Sequence, residues 1–338
     1  MDDAAAARAY VIDLFRYVLE RKQMPDDGVE SWVSELMNGR DPIEVFRLFA
    51  LSEENQNRRN SLTEFPHGHF YSPVVNVAEV RADEQRIFSR GKPLAVDLND
   101  SEQKMWWRQI SAQIKSLPFS DAPDGKHRYH YDNSSYGFGD ASIYWATLAT
   151  LRPSRLIEIG SGFSSALVLD AIDHFDLPTK CTFIDPYPQL LQKLAGPLDA
   201  RHRIIGERIQ SLDPAIVTDL GENDVLFIDS SHVVKTGSDV HFEMTELLPR
   251  LRRGVIVHFH DVFYPFEYHK KWVLDDNKSW NEAYYLQAFL MYNGAFKTIF
   301  LNHYFAETYA PVMLQSLPVS IVDRIRLNPG GGLWLKRR

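Results

Sequence analysis

At 338 residues, with 44% hydrophobic and 24% charged side chains, the chain has the balance of an ordinary globule with room for one large domain and a smaller one ahead of it. A net charge of -8, with no lysine or arginine stripe to neutralise phosphates, excludes nucleic acid as the main partner. The lone cysteine, Cys181, excludes an internal disulfide framework, and no basic-then-apolar leader or bilayer-length apolar run is present, so a cytoplasmic protein without a membrane partner is expected.

The first stretch reads as helical. Three apolar stripes follow one another: Tyr10, Val11, Leu14, Phe15, Val18 and Leu19; then Trp32, Val33, Leu36 and Met37; then Val45, Phe46, Leu48, Phe49 and Leu51. Turns at Met24-Pro-Asp-Asp-Gly28 and Asn38-Gly-Arg-Asp-Pro42 separate them, so residues 1–58 are expected to form a small all-α domain. These helices, in order and spacing, resemble a small helical module of unknown function that recurs in bacterial surface and glycan-related proteins. The resemblance implies a docking role for a partner or glycan; a plain three-helix cap is the other reading.

Residues 59–135 are expected to be a linker and capping segment. The polar run between Asn55 and Thr63 reads as linker, and Phe65-Pro-His-Gly-His-Phe-Tyr-Ser-Pro73 and Lys126-His-Arg-Tyr-His-Tyr-Asp-Asn133 as aromatic loops without period. Asp83 to Phe88 and Glu102 to Leu117 read as helices. A further helix is entered at Tyr136 and runs to about Thr150, with Asp140 suited to cap it.

Arg155-Leu-Ile-Glu-Ile-Gly-Ser-Gly-Phe-Ser-Ser165 combines a buried strand, a glycine turn and a helix start. Gly160 and Gly162 let the backbone approach a ligand, while the first amides of the helix point above the turn. A dinucleotide fingerprint fails because its third glycine position is Ser165, and a phosphate loop fails because no Gly-Lys-Ser/Thr follows. An acid, Asp185, closes the next strand, where it can accept hydrogen bonds from both ribose hydroxyls. The expected ligand is therefore a nucleoside without a diphosphate.

Strands at Lys180–Ile184, Arg203–Ile205, Asp224–Asp229 and Gly254–Phe259 then alternate with helices at Gln189–Ala195, Ser211–Leu220 and Asp239–Leu251. Such alternation predicts right-handed crossovers and a parallel sheet covered on both faces. A long helix at Trp280–Asn293 and strands at Phe296–Leu301 and Gly332–Lys336 complete an α/β, doubly wound, mostly parallel seven-stranded sheet.

From about Tyr136 to Arg338 these motifs resemble the class I, Rossmann-like S-adenosylmethionine-dependent methyltransferases, with the glycine turn as motif I and Asp185 as motif II. The resemblance implies that residues 136–338 bind S-adenosyl-L-methionine through Glu158, Gly160, Ser161, Gly162, Asp185, Gln210, Asp229 and Tyr136. It also implies that the last strand slips in antiparallel beside the fifth. A surface helix start explains Gln210 nearly as well.

Asp229 and the pair His260-Asp261 close neighbouring strands about 4.8 Å apart, so the two aspartates can converge. Two carboxylates that converge repel unless a cation or proton lies between them, which is a reason to expect a divalent metal. Ile228-Asp-Ser-Ser-His232 and Val257-His-Phe-His-Asp261 resemble the metal-dependent sugar O-methyltransferases of the macrocin and mycinamicin type. That likeness implies catalytic Asp229, His232 and Asp261, with His232 as general base, and a magnesium or manganese site at Asp229, His260 and Asp261. His260 stands where that family has glutamate. The implied partner is a small hydroxylated acceptor such as a sugar, with a homo-oligomer left open. His258, inside its strand, reads as a satisfied core histidine. The competing functions are a non-catalytic nucleoside-binding scaffold and, by likeness to cephalosporin hydroxylase-like proteins, a metal-dependent oxidative enzyme on the same fold.

Overall fold

The computed structural model describes every residue except 1, 2, 22, 24, 25, 62, 63 and 90, so Met24 and Pro25 of the first expected turn and Thr63 of the expected linker lie outside the described residues. The chain divides into two compact units, Met1–Asp83 and Glu84–Arg338. Among the described residues no helix is long and apolar enough to cross a membrane.

In the first unit, helix Ala4–Asp13 continues as a π-helical turn, Leu14–Val18, and is followed by Asp26–Met37, Pro42–Ala50 and Glu53–Ser61. Asp3 and Asp41 cap the first and third of these by accepting the amides of Ala5 (2.8 Å) and Ile43 (2.9 Å). Ala7, Val11, Leu14, Phe15, Val29, Val33, Leu36, Val45 and Phe49 form the core. Met37, Phe46, Leu48 and Leu51 of the expected stripes are instead exposed. The run expected as linker is helical through Ser61. The Asn55 amide caps the preceding helix at Ala50 O (2.7 Å), and Arg21 clamps Glu54 through two bonds of 2.7 and 2.6 Å. Polarity there marks a solvated helix face.

The second unit is built on seven strands: β1 Arg155–Ile159, β2 Lys180–Ile184, β3 Arg203–Ile205, β4 Val225–Ile228, β5 Ile256–Phe259, β6 Phe296–Leu301 and β7 Leu333–Arg337, in the order β3-β2-β1-β4-β5-β7-β6. The first five are parallel, and β7 lies antiparallel between β5 and β6. The pleat sends Leu156, Phe183, Phe227 and Trp334 to one face, under helix Phe138–Leu151. Ile157, Ile159, Leu226 and Val257 go to the other, with Val240 and Leu247. A buried strand reads as an unbroken apolar run because both faces are covered.

Several helices depart from expectation. Ser211–Leu220 shrinks to a 3-10 turn, Ile209–Ser211, and one α-turn, Ala215–Thr218, because Pro214 interrupts the ladder and Asp213 caps Ala215 (2.9 Å). The helix after β4 passes from α (Asp239–Phe242) through a π turn (Glu243–Leu247) to a 3-10 end (Leu248–Arg250). The long helix is Glu282–Leu290, and Lys270–Leu274, Asn302–Thr308, Ala310–Leu314 and Val319–Leu327 are additional.

Candidate active site

Gly160 (φ +84°) ends β1 against the end of β4 so closely that a Cβ there would lie 1.8 Å from the carbonyl oxygen of Asp229. Gly160 N donates to Ile184 O (2.9 Å) and Asp229 N to Ile159 O (2.8 Å), lacing the ends of β1, β2 and β4 together. Asp185 accepts the Ser161 amide (2.9 Å) and hydroxyl (2.8 Å) on one oxygen and the Tyr187 amide (2.7 Å) on the other. Above these ends opens a crevice of about 520 Å³ lined by Gly160, Ser161, Asp185, Gln210, Asp229 and Lys235, among others. It lies outside the carboxyl ends of parallel strands, where open α/β sheets bind ligands.

Gly162, Glu158 and Tyr136, also expected at the cofactor, are not among the residues that line this crevice. Gly162 starts helix Phe163–Phe175. Glu158 points with Leu156 to the helix-covered face, fully buried, and takes the hydroxyls of Ser164 (2.5 Å) and Ser165 (2.9 Å). Burial pushes its carboxyl up to about 8 against the pull of those two bonds. Tyr136 is buried with its ring 5.1 Å from that of His260.

At the ends of β4 and β5 a second set of side chains meets. His232 Nε2 lies 3.3 Å from Asp229 and 3.6 Å from Asp261, while His260 Nε2 is 3.5 Å from Asp261. Asp229, His260 and Asp261 each offer a ligand atom within 4.8 Å of the others. His232 and Asp261 both adopt left-handed backbone angles (φ 58° and 56°) that turn their side chains into this corner. Asp140 does not cap its helix. Its carboxyl accepts Asn302 Nδ2 (2.9 Å) and Gly331 N (3.3 Å) and faces His260, and Gly330 (φ +75°) leaves room for it, since a Cβ there would come within 2.2 Å.

The carboxylates dominate the electrostatics. Burial works to lower the His260 pKa, but Asp261, Asp229 and Asp140 prevail and raise it to about 9. For His232 burial is likewise overcome, by hydrogen bonds to Asp229 and Glu282, and the pKa rises. Burial raises Asp229, yet the neighbouring imidazoles pull it below its ordinary value. Asp140 is pushed up to about 6 by burial. His258, stacked on Phe227 (4.2 Å) with the tilted ring of Trp334 beside it (4.3 Å), is a core residue as expected but not a satisfied one. Among the described residues neither ring nitrogen has a hydrogen-bond partner, and burial pushes the pKa of the ring well below its ordinary value.

Two participants belong to Trp280-Asn-Glu282, a run that in the sequence reads as wall or lid of an acceptor pocket and not as part of a catalytic motif. Glu282 binds His232 Nδ1 at 2.8 Å, and Asn281 takes the Val234 amide at 2.6 Å. The acid at the start of an expected helix was the available signal, and nothing along the chain tied it to a histidine fifty positions earlier.

Residues 157–262 match the family model of a methyltransferase domain. A protein of Archaeoglobus fulgidus with no assigned activity is 32% identical over 165 residues, covering 47% of this chain and 75% of its own. Among solved structures, the Podospora anserina methyltransferase PaMTH1 with bound S-adenosylhomocysteine is 18% identical, covering 77% of this chain and 94% of its own with a TM-score of 0.38. The plantazolicin methyltransferase BpumL, also with S-adenosylhomocysteine, is 13% identical, covering 70% and 97% with a TM-score of 0.37. CmcI, in a form described as Mg-SAM, is 16% identical, covering 59% and 71% with a TM-score of 0.32. Residues 157–262 thus carry a methyltransferase domain, on a seven-stranded sheet with one antiparallel strand, and the chain belongs to one family with the archaeal protein.

Proposed function

We propose that the protein methylates a hydroxyl of a small molecule, with a sugar or glycosylated metabolite as the acceptor class, and that residues 136–338 carry the donor site. The observation behind this reading is the placement of His232 Nε2 within 3.3 and 3.6 Å of two aspartates beside the crevice that Gly160 and Asp185 line. In the crevice, Asp185 would exchange its bonds to Ser161 for the ribose hydroxyls. Gln210, whose Nε2 is held by Gly237 O (3.1 Å), would lie along the base.

The transfer is an in-line displacement. The acceptor oxygen forms a bond to the methyl carbon as the carbon–sulfur bond breaks, the electron pair returns to sulfur, and the hydroxyl proton passes to His232 Nε2. A positioned base typically contributes about 10²–10⁴-fold. Trp280, its ring 4.4 Å from His232, with Tyr268 and Trp272 beside it, would form the wall on which an acceptor ring lies.

The donor set fits a divalent ion: two converging carboxylates and an imidazole, with His260 Nδ1 lacking a hydrogen-bond partner among the described residues. Held by Asp229, His260 and Asp261, magnesium or manganese would lower the pKa of the acceptor hydroxyl and offset the carboxylate charge that raises the His232 pKa. The test is transfer from labelled donor to a panel of hydroxylated sugars, with and without metal. Turnover that survives unchanged in His232→Ala would refute the base assignment.

A further inference from the structure

We propose that Glu282 is the positioning residue of the reaction: by accepting the Nδ1 proton of His232 it selects the tautomer whose Nε2 is free to take the acceptor's proton. The inference rests on His232 being the base.

Both side chains are almost wholly enclosed, 7% and 2% exposed, and their contact is short at 2.8 Å. A carboxylate taken out of water costs several kcal/mol unless it is paired. Among the described residues the Glu282 side chain makes no other hydrogen bond, since its second oxygen has no partner. The imidazole is therefore its hydrogen-bond partner, while the buried Glu243 carboxyl lies near enough to repel it. The backbone reinforces this: the amides of Asn281 and Glu282 both donate to His232 O (3.1 and 3.2 Å), and Asn281 Oδ1 holds the Val234 amide on the far side. His232 sits at φ 58°, a conformation that a non-glycine residue keeps only where its surroundings hold it. The start of helix Glu282–Leu290 thus clamps the loop after β4 from both the main chain and the ring.

With Nδ1 engaged by Glu282, Nε2 is the nitrogen that faces Asp229 and Asp261. The order carboxylate, imidazole, hydroxyl follows the logic by which an acid fixes a histidine base in other enzymes. A plug that merely fills space would not need an ionisable group at this contact.

The test uses the full chain and a hydroxylated sugar that it methylates. Glu282→Ala is expected to lower kcat by about 10²-fold or more, within the ~10²–10⁴ that a positioned base supplies, with KM for S-adenosylmethionine unchanged. Glu282→Asp should recover part of the loss, and adding Glu282→Ala to His232→Ala should cost nothing further, because the two act as one unit. Independently of any acceptor, ring-nitrogen NMR should show a low-field Nδ1–H on His232 that disappears in Glu282→Ala and shifts in the isosteric Glu282→Gln. Multiplying losses in the double variant, or a neutral His232 ring that carries its proton on Nε2 and not on Nδ1 at high pH, would overturn the proposal. A slow His232→Ala beside a fully active Glu282→Ala would overturn it too while leaving the base assignment standing.

Discussion

The α-carbon of Gly160 faces the carbonyl oxygen of Asp229 with no room for a side chain between them, a hypothetical Cβ falling 1.8 Å from that oxygen. One contact therefore joins the glycine turn to the strand end that carries the acidic corner. Gly160→Ala must either push β1 from β4 or abandon the φ of +84°, which by itself costs about 1–3 kcal/mol for a non-glycine residue. We expect a lower thermal midpoint and no calorimetric signal for S-adenosylmethionine; unaltered binding would show that the turn does not approach the donor.

Asp185 takes three hydrogen bonds from the turn and its own loop, with both oxygens at the mouth of the crevice. Bonds to a charged acceptor are worth about 1.5–3 kcal/mol each, so Asp185→Ala should weaken donor binding by at least about tenfold. Titration of the variant with S-adenosylhomocysteine checks this. An unchanged Kd would remove Asp185 from the ribose site.

Asp261 is one of three residues whose ligand atoms converge at the corner. Manganese binding, followed by the paramagnetic signal of the free ion, should be measurable in the unaltered protein and lost in Asp261→Ala and Asp229→Ala. Retention of manganese by both variants would place the ion elsewhere. Chelation should then lower turnover without lowering affinity for the donor.

Glu158 sets a pH dependence of stability. Its carboxyl is raised from 4.5 to about 8 on folding, so between those values the folded state holds more protons than the unfolded one. Its contribution is fully present below the unfolded value and fades as pH climbs through the folded one. The thermal midpoint should fall between about pH 5 and pH 8, and Glu158→Gln should fall less, because the amide keeps the serine hydroxyls as donors and has no proton to lose. Parallel curves for the two proteins would refute the buried, proton-holding carboxyl.

Much of the fold is legible because its signals are local. β2, β3 and β6 have the bounds expected of them, and the last strand lies antiparallel beside β5 as the family likeness implied. Helix ends were harder to read, because Pro214 and the π turn at Glu243–Leu247 redirect segments whose composition stays helical. Residues 302–327 hold three helices that amphipathic spacing alone did not reveal.

By itself the sequence determined the glycine turn, the acid that closes β2 and the convergence of Asp229 with Asp261, because each lies at a strand end and parallel pairing brings strand ends together. Only the tertiary structure decided where Glu158 and Tyr136 point and that Glu282 reaches His232. Which way a side chain faces depends on the pleat and on what covers it. A contact spanning fifty residues exists only once the helix start at Glu282 has docked against the loop after β4.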